Sequence, residues 1–200
     1  MEVKVERARG RPSEGAREAL LATAHELFME RDYDQVSTEE IVERAGVSRG
    51  ALYHHFPTKL DLFRAVWEAS ERRALERIGA TLPPGTGPFE TLVLLAKGYL
   101  RAAETDEEMR RIGLGQSRTV LGWERWRSAA TALGLGVALA VVTAAIEAGE
   151  LPPHDPETIA IVLLGAMIEA AMLILVAEDP ATARELTEVV VVDLLEGLRR

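Results

Sequence analysis

The stretch VSTEEIVERAGVSRGALYHHFPTK, residues 36–59, decides how the N-terminal part of this chain folds. Ser37 and Glu40 have the spacing of a capping box, in which each side chain binds a free backbone N–H at a helix start. Gly46 then stands where a left-handed residue would end that helix, and Ser48 can cap the next one. Two short helices joined by Gly-Val-Ser predict a helix-turn-helix, whose second helix fits the major groove of DNA.

The second of these helices has one apolar face and one polar face. Leu52 and Phe56 are one turn apart and are predicted to face inward, because residues at i and i+4 share a helix face. The residues left on the other faces are Arg49, Gly50, Tyr53 and His54. An exposed face of this composition is typical of a helix that contacts DNA.

Further helix starts are marked along the rest of the chain. Thr105 with Glu108 repeats the capping-box spacing, whereas Asp155-Pro156 and Asp179-Pro180 each place a capping side chain before a proline at the first helical position. Breakers rich in Pro and Gly separate the longer segments at 82–88 and 149–154. About nine helices and no strands are expected, near residues 13–31, 38–45, 49–55, 58–80, 87–104, 106–113, 119–148, 156–178 and 180–198.

The deciding stretch resembles the TetR (tetracycline-repressor-like) family of bacterial transcriptional regulators. Gly46-Val47-Ser48, Leu52-Tyr53-His54-His55-Phe56 and Lys59 carry the resemblance, and ATAHELFME at 22–30 is similar to the family's first helix. The resemblance covers about residues 13–70 and beyond them only the layout of the helices. It implies an all-α chain: a flexible basic arm at 1–12, a three-helix helix-turn-helix domain at 13–58 with its motif at 38–57, and a helical ligand-binding and dimerisation domain at 59–200.

The resemblance also implies roles for individual residues in binding operator DNA. Thr38 and Lys59 would hold backbone phosphates, because helix N-termini favour anions, and Tyr53 and His54 would reach phosphates or thymine methyl groups. Arg49 is the candidate for base readout, since a guanidinium can bond guanine O6 and N7 together. The expected DNA-binding set is Thr38, Ser48, Arg49, Gly50, Tyr53, His54 and Lys59. Glu39 departs from the family, in which this position is often basic.

The composition neither requires nor forbids a nucleic-acid partner. The chain has a formal net charge of −9, but residues 1–64 hold ten basic and twelve acidic residues, so most of the negative charge lies beyond them. Local basicity matters more for DNA binding than the total charge. The chain has no cysteine, which fits a cytoplasmic protein, and we expect neither a metal nor a cofactor. Catalytic motifs are missing, so we do not expect an enzyme.

The C-terminal two-thirds is rich in Leu, Val, Ala and Met, and the resemblance implies a pocket there for a small-molecule effector. Few charges fall within 129–146, which favours a lipophilic effector, and Gly134 and Gly136 indicate a kink or close packing beside a cavity. The larger side chains available to line it are Phe89, Tyr99, Met109, Trp123, Trp126 and Met167. Each of these could equally be a core residue.

The last two helices, 156–178 and 180–198, are predicted to form the interface of a homodimer. Residues 159–177 are apolar almost all round, and pairing with a second copy in a four-helix bundle, as the resemblance implies, would cover them. A membrane span is the alternative for this segment, but Glu169 near its centre would be costly in lipid. One further alternative stays open for function: a helical small-molecule-binding or scaffold protein of the same fold without DNA binding.

Overall fold

A computed structural model describes residues 14–199, so the predicted basic arm at 1–12 lies outside the described residues. The regular structure in this range is entirely helical, which confirms the predicted all-α fold. Two segments depart from α-geometry: a short 3₁₀ turn at Tyr33–Gln35 and a π-helical segment at Met109–Gln116. The α-helices are α1 (Glu14–Glu30), α2 (Thr38–Ala45), α3 (Arg49–His55), α4 (Lys59–Gly79), α5 (Pro88–Thr105), α6 (Ser117–Leu121), α7 (Trp123–Glu147), α8 (Pro156–Val176) and α9 (Pro180–Gly197).

The chain divides into two compact units between Val66 and Trp67. The sequence placed the division at 58/59, but the first two turns of α4 bury Leu62, Phe63 and Val66. The ring of Phe63 lies 5.0 Å from that of Phe28, centroid to centroid, in an edge-to-face contact. The first unit therefore includes the beginning of α4, because burying these side chains completes its core.

Backbone capping fixes α2 and α3 as two short helices at a defined turn. The Ser37 Oγ accepts a hydrogen bond from the Glu40 N–H at 3.1 Å, and the Ser48 Oγ accepts one from the Ala51 N–H at 3.1 Å. Gly46 ends α2 with φ of 66°, a left-handed conformation in which a side chain would be strained. These contacts confirm the predicted helix-turn-helix geometry.

In the second unit, α5 packs against α7, α8 and α9, and α7 packs along α8. Two glycines allow close approach between helices. A Cβ at Gly98 would lie 2.6 Å from the Ile78 Cγ2, and one at Gly134 would lie 2.8 Å from the Leu164 Cδ2. Gly134 thus marks close packing, as the sequence indicated. A Cβ at Gly136 would meet nothing within 4 Å, so packing does not require glycine there.

The segment between α5 and α7 differs from the prediction. Asp106, rather than Thr105, caps the next helical segment, because the Asp106 Oδ1 accepts a hydrogen bond from the Met109 N–H at 3.0 Å. The chain then stays helical through 109–116 and α6 up to Gly122, where φ of 78° ends it. A Cβ at Gly115 would lie 2.7 Å from the Arg110 carbonyl oxygen, so the wide π-turn depends on a glycine here.

Two of the described helices, α7 and α8, are long and apolar enough to cross a membrane by length and composition alone. Only 33% of the most apolar window of α8 is buried within the chain. Apolar side chains are also exposed on both α8 and α9, including Ile161, Val162, Leu173, Val176, Leu186, Val189, Val190 and Leu194. These side chains form an extended apolar face on α8 and α9 within the second unit.

Candidate nucleic-acid interface and ligand cavity

The exposed face of α3 is held in place by the buried side of the same helix. Leu52 is fully buried and Phe56 is nearly so, whereas Arg49, Gly50 and His54 are exposed and Tyr53 retains 40% of its accessible surface. A Cβ at Gly50 would have only the Ser48 Oγ near it, at 3.9 Å. The fold therefore does not require glycine at position 50, and its absent side chain leaves the start of α3 open to close approach.

Four polar side chains from α2 and α3 form one cluster, which we call the α2–α3 polar cluster: Thr38, Glu39, Arg49 and Tyr53. The Arg49 Nη1 lies 3.2 Å from the Glu39 Oε1, and the guanidinium carbon lies 5.6 Å from the centroid of the Tyr53 ring. The Thr38 hydroxyl donates to the Glu39 Oε2 at 3.1 Å. Hydrogen bonds with Thr38 and then with Arg49 lower the pKa of Tyr53. The cluster brings a guanidinium, a phenol and two acceptors onto one exposed surface.

Glu39 gives this surface an acidic member that the family pattern does not predict. Hydrogen bonds from its own backbone N–H and from Thr38 lower its pKa, so the carboxylate is ionised at neutral pH. Arg49 is paired with this carboxylate, and because both side chains are mostly exposed the ion pair is weak.

Lys59, at the first position of α4, is more enclosed than the sequence suggested. Its ammonium donates to the Tyr33 carbonyl oxygen and lies 3.9 Å from the centroid of the Tyr33 ring. Burial lowers the pKa of Lys59, and Asp34 acts in the opposite direction. The side chain is half-buried. Lys59 therefore links the 3₁₀ turn to the start of α4 through its contacts with Tyr33, in addition to placing a positive charge there.

The two histidines of α3 lie in different environments. His54 is exposed, while His55 is half-buried and its Nε2 is buried without a hydrogen-bond partner. Their rings meet edge to face at 5.2 Å. His55 thus packs inward, and His54 is the histidine that is accessible to a partner.

The second unit encloses a cavity of about 130 Å³. Its walls come from α4, α5, α7, α8 and α9 and are almost wholly aliphatic, with Leu75, Leu92, Leu133, Leu163 and Val191 among them. Of the six larger side chains named from the sequence, Tyr99 and Met167 line this cavity. Phe89, Met109 and Trp126 are buried outside its lining, and Trp123 is 43% exposed at a surface groove with Arg118 and Met172.

Glu71 is the functional candidate that the sequence analysis missed. It is half-buried on α4 and, of the cavity-lining residues that the structure describes, it is the one with a carboxyl group. Burial raises its pKa to about 7. A hydrogen bond from Trp67 lowers the pKa, whereas the charges of Asp106 and Glu108 raise it further. A signal was present: Trp67, Glu71, Leu75 and Ile78 recur at helical spacing, which places the acid within an apolar stripe.

Comparisons with known proteins agree with both units. Residues 20–66 match the family model described as bacterial regulatory proteins, tetR family, and residues 89–198 match the model described as tetracyclin repressor-like, C-terminal domain. The crystal structure of a TetR-family transcriptional regulator from Pectobacterium atrosepticum is 31% identical, with a TM-score of 0.80 over 96% of this chain and 97% of that one.

Two curated relatives match half of this chain or less. The transcriptional activator FasR of Mycolicibacterium smegmatis is 31% identical over 50% of this chain and 46% of that protein. The transcriptional repressor BepR of Brucella suis is 48% identical over 25% of this chain and 24% of that protein. The matches thus span half or less of these two relatives, one of which activates transcription while the other represses it.

Proposed function

We propose, from the premise that this chain belongs to the TetR family of bacterial regulatory proteins, that it is a cytoplasmic, ligand-responsive regulator that binds operator DNA. The observation that carries the proposal is the exposed face of α3, on which Arg49, Tyr53 and His54 project from a capped helix whose other side is buried. Such a helix enters the major groove with its N-terminal residues against the base edges.

Within this proposal, Arg49 reads a base and its partners position it. The guanidinium leaves Glu39 and bonds a guanine in the major groove, while the Tyr53 ring keeps it oriented. At a sequence that offers Arg49 no guanine, the guanidinium stays paired with Glu39 and adds no base contact, so the exchange favours sequences with a guanine. Thr38, Ser48 and Lys59 lie at the starts of α2, α3 and α4, where helix N-termini favour phosphates. Gly50 allows close approach to the DNA, and His54 contacts the backbone.

The proposed assembly is a homodimer through α8 and α9. Leu186 and Val162 are 67% and 64% exposed, and a second copy would cover them together with their neighbours on the apolar face. A two-fold pair of helix-turn-helix units reads two half-sites about 34–36 Å apart, which gives adequate affinity from two short helices.

The effector proposed for the regulator occupies the cavity of the second unit. The same helix, α4, contributes Leu62 and Phe63 to the first unit and Glu71 and Leu75 to the cavity. An effector that shifts α4 would therefore act on an element shared with the DNA-binding unit. We propose that this releases the operator, so that the chain acts as a repressor.

Operator selection from genomic fragments tests the proposal and separates it from a ligand-binding or scaffold protein without DNA binding. We expect enrichment of a pseudo-palindrome. On the selected site, Arg49→Ala should relax the preference at one position per half-site and cost about 1–3 kcal/mol there. Lys59→Ala should weaken binding to all DNA sequences alike. It should also lower the slope of the salt dependence by about one unit, the value for one lost phosphate contact. If no fragment is enriched, the DNA-binding proposal fails.

A further inference from the structure

The lining of the cavity has an unusual charge pattern. Its walls are aliphatic apart from Met167 and the two side chains with ionisable groups, Glu71 and Tyr99. Among the residues 14–199 that the structure describes, no Lys, Arg or His lines the cavity. An ionised Glu71 therefore has no cation to balance it within the cavity, and isolated buried charge is costly.

The position of the Glu71 carboxyl is fixed by its neighbours. A Cβ at Gly113 would lie 2.6 Å from the Glu71 Oε1, so the acid packs against the backbone of the π-helical segment where a larger residue would collide. The Trp67 indole N–H, which donates to the Gly113 carbonyl at 3.2 Å, also hydrogen-bonds the carboxyl. These contacts hold the acid at the cavity wall rather than letting it swing to solvent.

The other charges around Glu71 do not neutralise it. Asp106 and Glu108 both raise its pKa, and each is itself paired with an arginine of α4: Arg77 with Asp106, and Arg73 with Glu108. On the side of α5, Tyr99 is uncharged at neutral pH, because burial first and then the charge of Glu71 raise its pKa. The environment of the cavity is thus apolar and, where it is charged, negative.

We propose that the effector is a small amphiphilic cation, with an apolar body in the aliphatic part of the cavity and a protonated nitrogen against the Glu71 carboxylate. This inference rests on the proposed function, because it names the ligand class of the effector cavity. An apolar cavity of roughly 150 Å³ holds a benzene-sized molecule, so the body is about one ring or a short alkyl chain. A carboxylate ligand is repelled by Glu71, and a neutral ligand gains only an ordinary hydrogen bond.

Three matched probes test the inference by calorimetry on the full, DNA-free chain: 2-phenylethylamine, 2-phenylethanol and 3-phenylpropanoate. We expect the amine to bind at least about tenfold more tightly than the alcohol, because a charge-assisted hydrogen bond exceeds a neutral one, and the acid to bind most weakly. Glu71→Gln should lower the affinity for the amine to the affinity for the alcohol. Glu76→Gln, a matched change at an exposed position of α4, should leave the order unchanged.

Proton release gives a second readout that needs no variant. Burial raises the pKa of the Glu71 carboxyl to about 7, so at pH 6 binding of the ammonium group should release a proton from this carboxyl to the buffer. Calorimetric titrations in two buffers of different ionisation enthalpy measure the number of protons released on binding. Binding of the alcohol should release no proton. Equal affinities for the three probes, no binding of any of them, or an amine preference that survives Glu71→Gln would overturn the inference. Operator binding is assayed separately, so failure here leaves the DNA-binding proposal standing.

Discussion

Replacing Glu71 by glutamine should stabilise the protein at pH 8 but not at pH 4, since the amide fills the same space and does not ionise. Burial raises the pKa of the Glu71 carboxyl from its ordinary value of 4.5 to about 7. One pKa unit corresponds to about 1.4 kcal/mol, so this difference corresponds to roughly 3 kcal/mol of unfolding free energy. The side chain keeps some exposure at the cavity wall, which makes roughly 3 kcal/mol the upper value.

The direction of the pH dependence follows from which state binds the proton more tightly. The pKa is higher in the folded protein, so Glu71 costs no stability well below pH 4.5, where it is protonated in both states. Between about pH 4.5 and 7 the unfolded state releases the proton first, and wild-type stability falls relative to Glu71→Gln. Above pH 7 the cost of ionising the buried carboxyl is fully present.

Urea unfolding followed by circular dichroism between pH 4 and pH 8 measures this effect. The stability of Glu71→Gln minus that of the wild type should grow by about 2–3 kcal/mol across the range. The same difference for Glu76→Gln, at an exposed position of the same helix, should stay flat. A pH-independent difference for Glu71→Gln would refute the conclusion that the carboxyl is desolvated.

Three further outcomes are expected. Ser48→Ala removes the acceptor for the Ala51 N–H and should lower the unfolding free energy by about 1 kcal/mol in the same urea assay, whereas an unchanged midpoint would mean that the cap contributes nothing. Leu186→Asp places a charge on the exposed apolar face of α9. It should raise the dimer dissociation constant at least about tenfold, as measured by light scattering. A wild-type protein that is itself monomeric would contradict this expectation. Glu39→Gln frees Arg49 from its ion pair and should tighten binding to non-operator DNA in a mobility shift, an outcome that weaker binding would contradict.

The helix-turn-helix could be predicted from sequence because its determinants are local. Ser37, Gly46 and Ser48 each act on backbone groups within four residues, so reading the chain in order suffices to place α2 and α3. The π-helical segment could not be predicted in this way. Its wide turn depends on Gly115 close to the Arg110 carbonyl and on Gly113 against Glu71, a residue forty-two positions earlier in the chain.

The cavity was predicted only in part, for a related reason. Large side chains such as Trp126 and Phe89 are prominent in the sequence, but they fill the core and are buried outside the cavity lining. The walls are instead made of Leu, Val and Ala side chains that are common throughout the chain. The sequence does not single out Glu71, because Glu68, Arg72 and Arg73 surround it and a run of charged residues is typical of a solvated helix face.

The place of Glu71 on α4 bears on how an effector could act on DNA binding. Its carboxyl accepts a hydrogen bond from the indole N–H of Trp67. Trp67 is the first residue of the second unit and lies one helical turn before Glu71 on α4. A bound cation would compete with that indole for the carboxylate, so the ligand would alter contacts of the helix that also supplies Phe63 to the first unit. Thermodynamic linkage then requires reciprocity. Operator DNA must lower the affinity for the cation by the same factor by which the cation lowers the affinity for operator DNA, typically 5–150-fold. If Glu71 is the origin of this coupling, a neutral ligand that contacts only the aliphatic walls, and not the Glu71 carboxyl, would bind in the cavity. The protein would then stay bound to the operator.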